Sequence, residues 1–389
     1  MTKSMRLPPP GPDELAHAAR LEAVLRDEIA RDGALDFARF MQLALYAPGL
    51  GYYSAGRTKL GAAGDFTTAP ELGDLFARCV ARAIAPVLAE TRGDVLEIGG
   101  GSGALAADLL LALARLDALP ARYLLLETSA ELRARQRETI AARAPAHLAR
   151  CSWIEAAPDA PWQGALVANE VFDALPVRAF QRDADRVHAR AVEWRDGRFA
   201  WTLRPADAAL AARVDALAAG SPWPAPYRSE LCELLPAWIA EVTRTLARGI
   251  ALFVDYGYPR REYYLPERRE GTLVAHYRHR AHDDVLLWPG LADITAFVDF
   301  TAVAEAGHAA GLDVVAYLSQ AQFLFANGLA AELEESTRLP DRERLLLAQQ
   351  AKRLTLPGDM GERFQAIAFA RALDPELLPF AALDRSHRL

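Results

Sequence analysis

The chain has 389 residues, 52% of them hydrophobic, enough for one large domain with insertions or for two, without disulfide or metal staples. Several classes are excluded. No apolar run reaches the roughly 18 residues of a membrane span, and a net charge of −7 argues against nucleic acid as a partner. Cys79, Cys151 and Cys232 lie far apart with no C-x-x-C pair, which indicates neither a zinc site nor a disulfide framework. The proline-rich start, Met1 to Asp13, lacks an apolar stretch, and Asp13, Glu14, Glu22 and Asp27 argue against a transit peptide. A cytoplasmic protein with no stable membrane insertion is expected.

Residues 13–46 read as helical: Leu21, Val24, Leu25 and Ile29 recur at helical spacing, followed by Phe37, Phe40, Leu43, Leu45 and Tyr46. Ala47 to Tyr53 reads as a turn and Gly61 to Glu71 as a loop. A helix is expected from about Glu71 to Ala89, capped by Thr67 or Thr68 with Pro70 in its first turn. From Asp94 strands and helices alternate. Strands are predicted at 94–98, 122–127, 149–154, 164–169 and 250–255, and helices at 104–116, 130–143 and 229–247, which implies a parallel sheet covered on both faces. Short strands at 177–181, 187–194 and 198–203, with a hairpin at Asp196-Gly197, interrupt this alternation. A long polar loop follows at about 257–295. After it come a helix at 298–310, a strand at 313–318, helical segments around 320–352 and a last strand near 363–371. The expected division is an N-terminal helical extension with a lid loop (1–90), a sheet domain (91–373) with insertions at about 177–228 and 257–295, and a loose tail (374–389).

The run Val95-Leu96-Glu97-Ile98-Gly99-Gly100-Gly101-Ser102-Gly103 ends the first of these strands and opens a helix at Ala104. Glycines there let the backbone turn tightly and approach a ligand, and the helix start offers free N–H groups. Glu127 ends the second strand, where an acid holds ribose hydroxyls. Gly99-x-Gly101-x-x-Ala104 fits a nicotinamide dinucleotide pattern, a weak match taken alone. The fuller pattern Glu97-x-Gly99-x-Gly101-x-Gly103, with an acid two residues before the first glycine, resembles motif I of class I S-adenosylmethionine-dependent methyltransferases. Asn169 to Pro176 resembles their motif IV, and segments 313–318 and 363–371 suit the antiparallel hairpin that closes such a sheet.

A narrower resemblance is carried by Gly51-Tyr52-Tyr53-Ser54, Gly64 to Glu71, Asn169 to Pro176, Asp255-Tyr256-Gly257, Asp293 to Phe300 and Met360-Gly361-x-x-Phe364. In this order they resemble the MidA family, the bacterial relatives of mitochondrial complex I assembly factor 7, from about Phe37 to Arg371. The resemblance implies a Rossmann-like α/β sheet, parallel but for one antiparallel C-terminal strand, with an N-terminal helical extension and inserted β and loop segments. It implies S-adenosyl-L-methionine as cofactor, S-adenosyl-L-homocysteine as product, and methylation of an arginine on a protein, a respiratory complex I subunit in eukaryotic members.

On that reading Gly99, Gly101, Ser102 and Gly103, with Glu97, Glu127, Thr128 and Asn169, hold the cofactor. Glu170 and Asp173, beside Asn169, are the catalytic candidates: a guanidinium carries five donors and a lasting positive charge, so it needs acceptors. The same two acids are also placed to cap the next turn or to pair with Arg178. Asp65, Phe66 and Thr67 are candidates for a lid, and Asp255 and Tyr256 for the substrate channel. His276-x-x-His279-x-x-His282, with Asp283 and Asp284, has helical spacing but a loop-like setting, and no metal is expected there. Three other readings compete: an assembly or chaperone factor that binds the cofactor without obligatory catalysis, a small-molecule methyltransferase, and a nicotinamide oxidoreductase. Oligomeric state, a homodimer included, is left open by the sequence.

Overall fold

Strands that are covered on both faces read as unbroken apolar runs, and the central sheet is built from such runs. The computed structural model describes residues 7–54 and 68–389; the expected lid residues Asp65, Phe66 and Thr67 lie outside them. The chain divides into two compact units, one comprising 68–172, 235–260 and 298–389, the other 1–67, 173–234 and 261–297.

The first unit holds the sheet. Its strands are β1 (Asp94–Ile98), β2 (Tyr123–Leu126), β3 (Cys151–Ile154), β4 (Trp162–Asn169), β5 (Leu246–Tyr258), β6 (Asp313–Ser319) and β7 (Phe364–Arg371). Their order is 3-2-1-4-5-7-6. All are parallel except β7, which runs antiparallel between β5 and β6, with Ile367 opposite both Phe253 and Tyr317. Every residue of β1 is buried. The dinucleotide-binding order is 3-2-1-4-5-6; the reversed strand inserted near the end departs from it and matches the antiparallel closure expected from sequence. The long β5 continues past the sheet and pairs Gly257 and Tyr258 with Val298 and Asp299.

Helices α1 (Leu75–Thr91), α2 (Ala104–Arg115) and α3 (Ala130–Arg143) precede β1, β2 and β3 respectively. Phe76, Val80, Ile84 and Val87 of α1 join Val95, Ala165 and Ile250 in one core. This buried stripe places α1 in the sheet unit rather than with the N-terminal helices. The last residues also differ from a loose tail. Phe380 is fully buried and meets the Phe323 ring edge-on at 5.4 Å, and Asp384 accepts the Tyr317 N–H at 2.9 Å.

The second unit has its own core around Leu21, Phe37, Phe40 and Val192. The expected helical stretch is broken at Gly33. Helix Pro12–Asp32 ends there, Leu35–Asp36 forms a short strand, and Asp36 caps helix Phe37–Tyr46 by accepting the Ala38 N–H at 2.9 Å. The strand pairs with Val187–Arg195, which also pairs with Arg178–Arg182 and Arg198–Pro205; Tyr227–Leu231 completes the sheet. Asp196 and Gly197, both at positive φ, make the hairpin turn. Segment 229–247, expected as one helix, is instead strand Tyr227–Leu231, helix Leu235–Thr243 and the start of β5. Part of the long polar loop is a three-stranded sheet of Val274–Tyr277, Arg280–His282 and Asp293–Thr295. His276 lies opposite Ala281 and His282 opposite Ala275. Alternation along a strand therefore sends these two histidines to opposite faces, and among the described residues no group of three or more potential ligands could hold a metal ion. Also among the described residues, no helix is long and apolar enough to cross a membrane.

Candidate active site

Parallel strands open their functional crevice at their carboxyl ends, and four of these ends carry the candidate residues: those of β1, β2, β4 and β5. After β1 the chain turns through Gly99, Gly101 and Gly103, at φ of 71°, 51° and 85°. A Cβ on Gly103 would stand 2.8 Å from the Gln136 Cα, and one on Gly99 would stand 2.8 Å from Val171 Cγ2. Both positions thus demand glycine by conformation and by space. Ser102 lies within the turn. Its hydroxyl donates to Glu71, on the short turn Ala69–Glu71, and accepts the Ala104 N–H at 3.3 Å.

Glu97 is buried beneath this turn, where its carboxylate accepts the Tyr123 hydroxyl at 2.6 Å. Burial pushes its carboxyl up to about 7, against the opposing effect of that hydrogen bond. Glu127, after β2, is also buried, and its carboxyl is raised by that burial. It accepts the Ser129 N–H at 2.8 Å and the Gln136 side-chain amide at 3.2 Å, and the Thr128 backbone adds a further hydrogen bond.

After β4, Asn169 is buried and donates its side-chain amide to Glu170 at 3.1 Å, while its own Oδ1 is buried with no hydrogen-bond partner. Glu170 has φ of 53°, a left-handed conformation that costs a non-glycine residue roughly 1–2 kcal/mol. Asp255, on β5 and 1% exposed, offsets that strain. One of its oxygens accepts the N–H groups of Val171 (3.0 Å) and Phe172 (2.8 Å), and the other accepts that of Tyr256 (2.9 Å). The Glu170 N–H reaches the Val254 carbonyl at 2.8 Å. Asp255 thus clamps the turn that presents Glu170, and Tyr256 packs on Phe364 with ring centres 5.4 Å apart.

The sheet unit therefore carries Glu97, the glycine turn, Ser102, Glu127, Thr128, Asn169, Glu170, Asp255 and Tyr256. Asp173 belongs to the other unit, where it is buried and its carbonyl accepts the Ala296 N–H at 3.0 Å. In that unit Tyr53 donates to Asp293 at 2.9 Å and stacks on Tyr46. Burial, and then the charges of Asp293, Tyr46 and Asp173, raise the Tyr53 hydroxyl well above its ordinary range. Two residues absent from the sequence reading stand out: Glu71 behind Ser102, and Gln136 behind Glu127. Gln136 had a signal, since it lies four residues before Ile140 and these two alone make the buried stripe of α3.

These groups fit an adenosine-bearing sulfonium. A cradle that excludes Cβ atoms, an acid placed after β2 and an unsatisfied acceptor at the end of β4 surround the carboxyl edge of the sheet. Fold and site together define a class I methyltransferase dependent on S-adenosyl-L-methionine. Residues 79–318 match a family of S-adenosyl-L-methionine-dependent methyltransferases, and the chain belongs to that family. Among its relatives is the mitochondrial protein arginine methyltransferase NDUFAF7 of Danio rerio, 28% identical over 88% of this chain and 84% of that protein. The Caenorhabditis elegans homologue of the same enzyme is 27% identical over 97% of this chain and 92% of its own length. A COG1565 superfamily member from Burkholderia thailandensis, crystallised with S-adenosyl-homocysteine, is 44% identical over 99% of this chain and 100% of that one, with a TM-score of 0.93.

Proposed function

We propose that this enzyme methylates arginine on a protein substrate. The observation that carries this reading is Glu170, a carboxylate kept at the end of β4 in a conformation that must be held against its own preference. The relatives named as protein arginine methyltransferases support it.

When bound, S-adenosyl-L-methionine supplies an electrophilic methyl for in-line displacement. On the proposed reading the turn 99–103 and Ser102 seat its amino-acid end, with Glu97 fixing the turn from below. Glu127 and Thr128 take the ribose, and Asn169 turns its unsatisfied oxygen toward the same ligand. Glu170 accepts guanidinium N–H groups, which orients the attacking nitrogen, and takes up the proton that this nitrogen releases on methylation; Asp173 is the second proposed acceptor. The reading extends to a cytoplasmic enzyme, with a respiratory complex I-type subunit as the first substrate to test.

Transfer of labelled methyl from S-adenosyl-L-methionine to a lysate lacking this gene, followed by mass spectrometry of labelled bands, tests the proposal. One protein labelled on arginine is the expected result. Label on another residue type overturns the arginine assignment, and none despite tight cofactor binding overturns it in favour of the small-molecule or assembly reading. Asp173→Ala should keep cofactor affinity in calorimetry and lose turnover; unimpaired turnover would remove Asp173 from the site.

A further inference from the structure

Gln136 is fully buried on α3, a helix whose other polar residues face outward or lie half-buried. Its Oε1 accepts the Trp153 indole N–H at 2.9 Å, and its Nε2 lies 3.2 Å from both the Gly101 carbonyl and Glu127 Oε2. An indole N–H only donates, so the amide oxygen must face Trp153. Both amide hydrogens then point at the two remaining acceptors, and each has one to serve. Every hydrogen-bonding group of this side chain is satisfied without water.

The three partners come from three different elements of the sheet unit. Gly101 lies in the turn after β1, Glu127 follows β2, and Trp153 stands on β3 at the sheet edge. The turn also rests on the backbone of the same residue, since a Cβ on Gly103 would stand 2.8 Å from Gln136 Cα and 3.0 Å from its carbonyl oxygen. One rigid planar amide therefore sets the spacing between the glycine turn and the Glu127 carboxylate. Glutamate at this position would turn acceptors toward the Gly101 carbonyl and Glu127, and leucine would leave a buried carboxylate oxygen and a partly buried carbonyl and indole N–H without this partner.

We infer that Gln136 is a positioning residue that aims Glu127 at the ribose hydroxyls of the cofactor, registering that carboxylate against the turn that holds the cofactor's other end. This rests on the reading of Glu127 as the ribose acceptor. Support of this kind behind metal-ligating side chains carries about ten- to hundredfold in affinity; behind Glu127 it acts on discrimination as well as on strength.

The test is calorimetric binding of S-adenosyl-L-homocysteine and of its 2′,3′-dideoxy analogue to the full chain. Wild type should prefer the natural compound by about tenfold or more. Gln136→Leu should weaken that compound and bring the ratio of the two affinities close to one. Trp153→Phe, which removes the donor that fixes the sense of the amide together with part of the ring beneath Arg137, should lower the ratio partway. A merely structural role for Gln136 would weaken both ligands alike, so an unchanged ratio in Gln136→Leu overturns the inference. If that variant does not fold, the ratio in Trp153→Phe decides in the same way. A wild-type protein that does not distinguish the two compounds removes the ribose role of Glu127, and the inference with it, before any variant is made.

Discussion

Two neighbouring strands, β1 and β4, end in turns that reach the same left-handed backbone region by opposite means. After β1 the residue is glycine, with Gly101 at φ 51°; after β4 it is a glutamate, Glu170 at φ 53°. The first turn gives up side chains so that the backbone itself can face a ligand, and side chains from α3 and the Ala69–Glu71 turn support it from outside. The second keeps its side chain and is held by one buried carboxylate, Asp255, that accepts three backbone N–H groups. Shape is conserved in one turn by emptiness and in the other by restraint, and it is the restrained turn that presents a charge.

The largest effect should come from putting a charge into the empty turn. Gly101→Asp is expected to abolish S-adenosyl-L-homocysteine binding in calorimetry; normal binding would show that the turn is not the cofactor seat. Next, Asp255→Ala leaves three N–H groups without their acceptor and should cost about 3 kcal/mol of stability in urea unfolding. In it turnover should fall further than cofactor affinity, and Asp255→Asn, which keeps an accepting oxygen, should recover part of both. Equal loss of turnover and affinity would mean the clamp does not act through Glu170. Glu170→Gly relieves the strained φ. It should unfold at the same urea concentration as wild type or a higher one, by up to about 1 kcal/mol, while methyl transfer is lost. A clear loss of stability would show that the side chain, not its restraint, holds the turn.

The smallest effect concerns pH. Burial raises the Glu97 carboxyl from 4.5 to about 7, so the folded chain keeps a proton there that the unfolded chain has released. That contribution to stability is complete below about pH 4.5 and is lost as pH rises through about 7. Glu97→Gln should show a shallower fall in unfolding midpoint across this window. Asp108, raised to about 6 mainly by burial, leaves a residual slope in the variant. An unaltered slope would assign the titration elsewhere.

The sheet was legible because buried parallel strands announce themselves as apolar runs, as in Val95-Leu96 and Ile250 to Val254, and the glycine spacing after β1 was legible for the same local reason. Contacts that join distant residues were not. Asp255 was expected along a substrate channel, but its clamp reaches N–H groups 83 and 84 residues away. For Gln136 the four-residue spacing to Ile140 points to the buried face while its polarity points to solvent, and polarity outweighs one spacing. Tyr227–Leu231 is a strand only because Arg178–Arg182 lies beside it; its mixed composition, running into an apolar helix, reads as more of that helix. The polar setting of His276 and His282 reads as a loop, and a two-residue turn at Arg278 and His279, both at positive φ, folds them into a hairpin.

The unit assembled from 1–67, 173–234 and 261–297 has a consequence for biosynthesis. Leu35 pairs with Val192, 157 residues further along. At about 5–20 residues per second of translation, the first helices wait roughly 8 to 30 s for their strand partner to be made. During that interval Leu21, Phe37 and Phe40, which end fully buried, have no finished core to enter. The nascent chain thus keeps Leu21, Phe37 and Phe40 in water until the strand around Val192 has been made.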